Sequence, residues 1–276
     1  MLSNNNYVPE GIIMAVQVLA VTTNQTEHVL HKQMNIQTDA IIGNQCGREA
    51  VEDLEYRGRN IRYLSTTTRG VGINRNQILM RANAEFSVFA DDDMVFLDGY
   101  EETVCNWFSR LPDADIIVFN LEGGKKERKK TETVRRVHRF NYGKYGAARL
   151  ALRTEAVQFS GVMFHTMFGG GCRYSCGEDT LFIHDCLKKG LKIVAVPAAI
   201  AGIVDGNSTW FCGYTDKFFY DKGVLYALLN GKTAYLTAVY HCVKHRKRYR
   251  EFGLKNAIEK MFSGIHFARS GGSCNK

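Results

Sequence analysis

Asp91, Asp92 and Asp93 follow one another without a spacer, directly after the apolar run Phe86-Ser87-Val88-Phe89-Ala90. Adjacent carboxylates at the end of a buried strand repel one another, and each resists losing its water. A hard divalent cation, magnesium or manganese, resolves that conflict because its preferred ligands are oxygens. Far downstream a second acidic pair, Glu178-Asp179, follows Gly177 and opens a helical pattern that runs to about Lys189. Acidic residues are favoured in the first turn of any helix by its dipole and free amides. A carboxylate within reach of a hydroxyl is also a general base. Gly169, Gly170 and Gly171 stand just before this pair, and three glycines let a backbone turn sharply or approach a ligand closely.

The surrounding pattern supplies elements to carry these groups. Ile12 to Val21, Asp39 to Gly43, Asn60 to Ser65, Phe86 to Ala90, Ala114 to Asn120 and Leu191 to Val196 read as strands. Glu27 to Met34, Gly72 to Ala84, Asp98 to Arg110 and Glu155 to Phe159 read as helices, and Glu49 to Tyr56 as a helical turn or two. Val134 to Phe140 and Ala148 to Leu152 read as an antiparallel excursion. Strands alternating with helices predict an α/β fold with a mostly parallel sheet and helices on both faces, and ligands at the carboxyl ends of its strands. Neither Gly-x-Gly-x-x-Gly after the first strand nor a Walker-type loop is present, so phosphates must be held another way, for which a metal on the aspartates suffices.

The 276 residues carry 45% hydrophobic and 23% charged side chains, as an ordinary globular protein does. The net charge of +8 is concentrated in Lys125 to Arg139 and Lys244 to Arg250, clusters that suit phosphate-bearing substrates, anionic membrane or nucleic acid. No recognised nucleic-acid motif accompanies them, and a nucleic-acid module would leave both acidic groups without purpose. The start, Met1 to Glu10, lacks the basic-then-apolar pattern of a secretory leader, so a cytoplasmic setting with reduced thiols is expected. Cys172, Cys176 and Cys186 with His184 match no standard zinc spacing. No apolar run reaches the ~18 residues needed to span a bilayer.

Gly72-Ile-Asn-Arg75-Asn76, then Ala84 to Asp93, then Gly170 to Asp179 and Leu187 to Val194, taken in that order, resemble the family 2 glycosyltransferases over roughly residues 14 to 200. A weaker likeness to bacterial surface-polysaccharide enzymes rests on Ser208 to Phe211 and on Gly213-Tyr214, Phe218 to Tyr220 and Asp221-Lys-Gly. The family has the GT-A fold, uses a nucleotide-sugar donor and binds a divalent metal on an Asp-x-Asp motif. The resemblance implies that Asp91 and Asp93 hold Mn2+ or Mg2+, with Asp205 the nearest candidate for a further ligand. It implies that Thr22, Asn44, Arg75, Asn76, Asp91 and Asp92 border the nucleotide. Asp179 falls where the family places its base, with Glu178 shaping the site or binding acceptor, and Gly170, Gly171 and Trp210 are expected on the acceptor side. Where the family's second strand usually ends in aspartate this chain has Asn44.

The expected activity is an inverting, metal-dependent transfer from a nucleoside-diphosphate sugar, UDP-sugar foremost, to a hydroxyl of a glycan or lipid-linked acceptor. A nucleotidyltransferase acting on sugar phosphates is the alternative enzyme, separated by release of pyrophosphate in place of UDP. The expected layout is a catalytic domain over 1–210, with a nucleotide half at about 12–120 and an acceptor half at about 121–210. A mainly helical basic extension follows over 211–276. Within it, Tyr235 to Tyr249 sets apolar residues beside a basic cluster, and Leu254 to Phe267 has helical spacing. Two readings stand for it: an interfacial helix on anionic lipid at the inner face of the membrane, or a helix packed on its own domain with a solvated basic side.

Overall fold

A computed structural model of the chain describes residues 16–123, 130–204 and 213–271. Its central feature is a ten-stranded mixed sheet in the order β3-β4-β2-β1-β5-β9-β7-β10-β6, with β8 paired to β10. The strands are β1 (Val16–Thr23), β2 (Asp39–Gln45), β3 (Ala50–Tyr56), β4 (Arg59–Thr66), β5 (Phe86–Asp91), β6 (Met94–Phe96), β7 (Ile116–Gly123), β8 (Arg135–Arg136), β9 (Leu150–Arg153) and β10 (Ile193–Ile203). The helices are α1 (Leu30–Gln33), α2 (Val71–Leu79), α3 (Tyr100–Arg110), α4 (Thr154–Ser160), α5 (Glu178–Lys188), α6 (Asp216–Asn230), α7 (Ala234–Lys244) and α8 (Leu254–Arg269).

Strand β1 shows why a continuous apolar run was required. Val16, Val18 and Ala20 enter one core with Val104 and Phe108 of α3, while Leu19 and Val21 enter the other with Ile78 of α2 and Phe182 of α5. Successive side chains point to opposite faces, so a strand covered by helices on both sides must be apolar throughout. The registers then line up the strand ends that matter. Val21 lies opposite Asp91, and Thr22 opposite Asn44.

Three segments differ from expectation. Glu49 to Tyr56 is not helical; β3 forms an antiparallel hairpin with β4, turning at Arg57 and Gly58, both in the left-handed region (φ 53° and 72°). Its charged alternate residues Asp53 and Glu55 face solvent, while Leu54 and Tyr56 pack on the core. Such charges protect a sheet edge from pairing with another chain. The segment around Ala148 to Leu152 is no excursion either: β9 runs antiparallel between β5 and β7 inside the main sheet. The short β6, unforeseen, pairs with β10 immediately after the aspartates.

Helices α6, α7 and α8 share a core of their own, with Phe219, Ala238, Cys242, Tyr249, Met261 and Ile265 buried together. Gly223 of α6 sits against the Met261 carbonyl, and Gly264 of α8 against the Tyr220 carbonyl, so a side chain at either position would force the two helices apart. Val224 and Leu225 of α6 join Phe168, Tyr174 and Leu181 in a further cluster, which fastens the helical unit to the loop before α5.

Candidate active site

Three consecutive residues on α2 organise the site. Asn74, Arg75 and Asn76 are all buried, and on a helix consecutive side chains diverge by about 100°. Asn74 Nδ2 donates to the Gly43 carbonyl on β2 (2.8 Å). Asn76 Nδ2 donates to the Phe164 carbonyl (2.9 Å), and its Oδ1 accepts from the Phe164 N–H (2.7 Å). These amides clamp α2 to the sheet on one side and to the 162–168 segment on the other. Arg75 is thereby held between them, its guanidinium 4% exposed and 5.4 Å from the Phe164 ring centre.

The buried guanidinium collects carboxylates from two distant parts of the chain. Nη2 donates to Asp91 Oδ1 (2.7 Å); Nη1 donates to Asp179 Oδ1 (2.8 Å) and Glu178 Oε1 (3.2 Å). A buried cation without such partners would be prohibitively costly. Burial alone would lower the Arg75 pKa, but Asp91, Asp179 and Glu178 outweigh it and raise it. Glu178 responds in the opposite sense to an ordinary acid. Burial first, and the neighbouring Asp179 second, push its carboxyl up to about 8 against the pull of Arg75. Glu178 therefore keeps its proton at neutral pH, while the Asp179 side chain, at 29% exposure, is open to a ligand.

The glycine loop encloses Glu178. A Cβ at Gly169 (φ 101°) would lie 2.7 Å from the Glu178 carboxyl carbon, so a side chain there would displace it. The Gly170 carbonyl accepts from the Val71 N–H (3.0 Å) and so ties the loop to the start of α2. From the other side, Asp221 of α6, 1% exposed, accepts from the Ser175 N–H (2.9 Å) and from Lys217 Nζ (2.7 Å). The sequence marks Gly169 only as part of a glycine run and Asp221 only within Asp221-Lys-Gly; their contacts with Glu178 and Ser175 come from the packing of the loop and α6.

Thr22 Oγ1 donates to Asp92 Oδ2 (2.5 Å), joining the end of β1 to the turn after β5. Asn44 is fully buried, and its amide engages both backbone groups of Gln25 (3.0 and 2.9 Å), fixing the loop after β1. Asn44 and Asn76, expected beside the nucleotide, thus spend their amides on backbone, whereas Thr22, Arg75 and Asp91 to Asp93 meet at one corner. Asp93 is exposed there, and its carbonyl accepts from the Val204 N–H (2.8 Å). Gly170 and Gly171 lie in the loop beside α2. Asp205 and Trp210 lie outside the described residues, as do Ser208 to Phe211 and Lys125 to Lys129 of the first basic run.

This corner suits a divalent cation in its donor chemistry. Asp91, Asp92, Asp93 and Asp179 set four acidic side chains against one guanidinium, so an incoming diphosphate meets repulsion unless further positive charge accompanies it. Asp91 and Asp93 present carboxylates at the open end of the sheet, and magnesium commonly binds through one or two carboxylates plus phosphate oxygens. Among the described residues no group of three or more His, Cys, Asp or Glu is placed to hold a metal ion by itself.

Residues 47–168 match the family model described as glycosyl transferase family 2, a span that contains Arg75 and Asp91 to Asp93. No curated protein matches this chain in sequence. Among solved structures, S. aureus TarS 1–349 in complex with UDP-GlcNAc is similar at TM-score 0.64 and 14% identity, covering 94% of this chain and 88% of that one. The same portion of S. aureus TarS in complex with UDP gives 0.62 at 14% identity over the same shares. At such identity the likeness is one of fold, a mixed sheet between helices with a helical C-terminal region. The stretch that matches the glycosyl transferase family 2 model, with Arg75 and Asp91 to Asp93 in it, thus lies on a fold of GT-A type.

Proposed function

We propose that the enzyme moves a sugar from a nucleoside-diphosphate sugar, UDP-sugar foremost, to a hydroxyl of a glycan or lipid-linked saccharide, with inversion at the anomeric carbon. The observation that carries this reading is the single buried Arg75 joining Asp91 to Asp179. Two acidic groups read separately in the sequence belong to one corner, as a donor site beside a proton acceptor requires. That TarS was solved with UDP and with UDP-GlcNAc supports a uridine donor here.

In this reading Asp179 takes the proton of the acceptor hydroxyl as the oxygen attacks the anomeric carbon from the face opposite the leaving diphosphate. A single base with in-line attack inverts the centre. Arg75 fixes the Asp179 and Asp91 carboxylates relative to each other, and Glu178, protonated, holds the first turn of α5 without adding charge to the corner. Asp92, anchored by Thr22, orients the turn that carries Asp91 and Asp93. Asp91 and Asp93 would hold Mn2+ or Mg2+, which when bound supplies positive charge against the diphosphate as its negative charge grows. The domain division at about residue 210 follows the same logic: the sheet carries the site, and the helical unit braces its glycine loop through Asp221.

A panel of nucleotide sugars, scored for release of free nucleoside diphosphate, identifies the donor. On the donor so found, Asp179→Asn should keep donor binding and lose ~10²–10⁴-fold in turnover. Near-normal turnover in that variant removes Asp179 as the base, and release of pyrophosphate would assign the alternative nucleotidyl transfer.

A further inference from the structure

Helix α7 carries apolar side chains on two opposite faces. Ala234, Ala238 and Cys242 are fully buried against the α6–α8 core. Leu236, Val239, Tyr240 and Val243 recur at spacings of three and four on the other side, and they are between 37% and 73% exposed. A helix packed on its own domain needs only the first face. The second forms an apolar stripe in solvent.

Basic charge adjoins that stripe. From Lys222 to Arg250 the chain contains no aspartate or glutamate. Lys244, Arg246, Lys247, Arg248 and Arg250 are all exposed, and none pairs with a carboxylate among the described residues. The Lys244 ammonium sits 5.4 Å from the Tyr240 ring centre, joining the charged and apolar parts. Tyr249, buried between these cations, pins the basic turn: its hydroxyl pairs with His241 Nε2 (2.7 Å), and His241 Nδ1 pairs with Tyr226 (2.7 Å). Burial, then the neighbouring Lys222, holds His241 down at about 3, and burial with Arg248 and Lys244 also lowers His245. The charge of the patch therefore comes from its lysines and arginines.

Charge decides the occupant. A second copy of this chain would bring two sets of unpaired cations together, and a nucleic acid would leave the apolar stripe in water. An anionic bilayer satisfies both parts, with headgroups on the cations and the stripe at the acyl boundary. We infer that the exposed stripe of α7 and the basic turn following it form a docking surface for an anionic lipid membrane. The helix lies in the interface; among the described residues no helix is long and apolar enough to cross a bilayer. None of these residues belongs to the corner around Arg75, so the surface stands apart from the transfer reaction.

Flotation of the full chain with phosphatidylcholine vesicles, with and without phosphatidylglycerol, tests the surface. The chain should float with the anionic vesicles and not with the neutral ones. Arg246→Ala with Lys247→Ala should lower the partition coefficient about 25-fold, roughly fivefold per cation. Leu236→Ser with Tyr240→Ser should lower it at least about tenfold. All four positions are exposed, so an unchanged melting temperature accompanies both pairs. Absence of binding to anionic vesicles, or binding indifferent to either pair, overturns the assignment. So does a stripe-dependent dimer that forms without lipid, or RNA binding that needs the cations and ignores the stripe.

Discussion

The corner around Arg75 and the C-terminal helices solve opposite problems with similar residue types. At the corner, a guanidinium and three acidic groups are drawn inward, where each depends on the others. In the helical unit the interior is aromatic and small, with Phe219, Tyr249 and Phe252 in ring contact, and the cations stay outside. Packing alone accounts for the interior of the second region. It does not account for the first, since a core of similar volume built from apolar residues would be as stable or more so. Buried charge kept at such cost is what a site with a task looks like. In the helical unit the unexplained feature lies on the surface, in an apolar stripe next to unpaired cations.

Substitutions sharpen the contrast in order of size. Arg75→Met should destabilise the fold by about 3–5 kcal/mol, because Asp91, Asp179 and Glu178 lose their shared partner. Transfer should be lost with it, and denaturant melts measure the first effect. If the variant unfolds at the wild-type midpoint, the corner is not the electrostatic keystone described here. Tyr249→Phe in the helical unit removes only a hydroxyl bonded to His241 and should cost about 1 kcal/mol, with turnover unchanged. Equal losses at both positions would erase the distinction between the regions.

A pH series gives the smallest and most selective effect. The Glu178 carboxyl is raised from 4.5 to about 8 on folding, so the folded chain holds that proton longer than the unfolded one. Its contribution to stability is complete below pH 4.5 and is lost as pH rises through 8. Glu178→Gln should flatten the decline of melting temperature between pH 5 and 8, leaving the two proteins alike near pH 5. A slope unchanged by the substitution would mean that Glu178 is ionised in the folded chain.

Much of this was legible in local pattern. The Asp91 to Asp93 turn, the glycine loop and the acidic start of α5 are contiguous signals, and the buried strands β1, β2 and β5 announce themselves by largely apolar stretches. What escaped depends on partners far along the chain. Strand β3 is an edge whose charges mask its period, and β9 earns its place only by fitting between β5 and β7. The amides of Asn44 and Asn76 close on Gln25 and Phe164, contacts that no local pattern encodes. Gly169 and Asp221 matter through Glu178 and Ser175, which only tertiary packing brings near.

Calorimetric titration of UDP, in Mn2+ and then in chelator, bears most directly on the claim that clustered acids serve one diphosphate site. Binding should require the metal, persist in Asp179→Asn and fall sharply in Asp93→Ala. Equal affinity for UDP in chelator and in Mn2+ would contradict it.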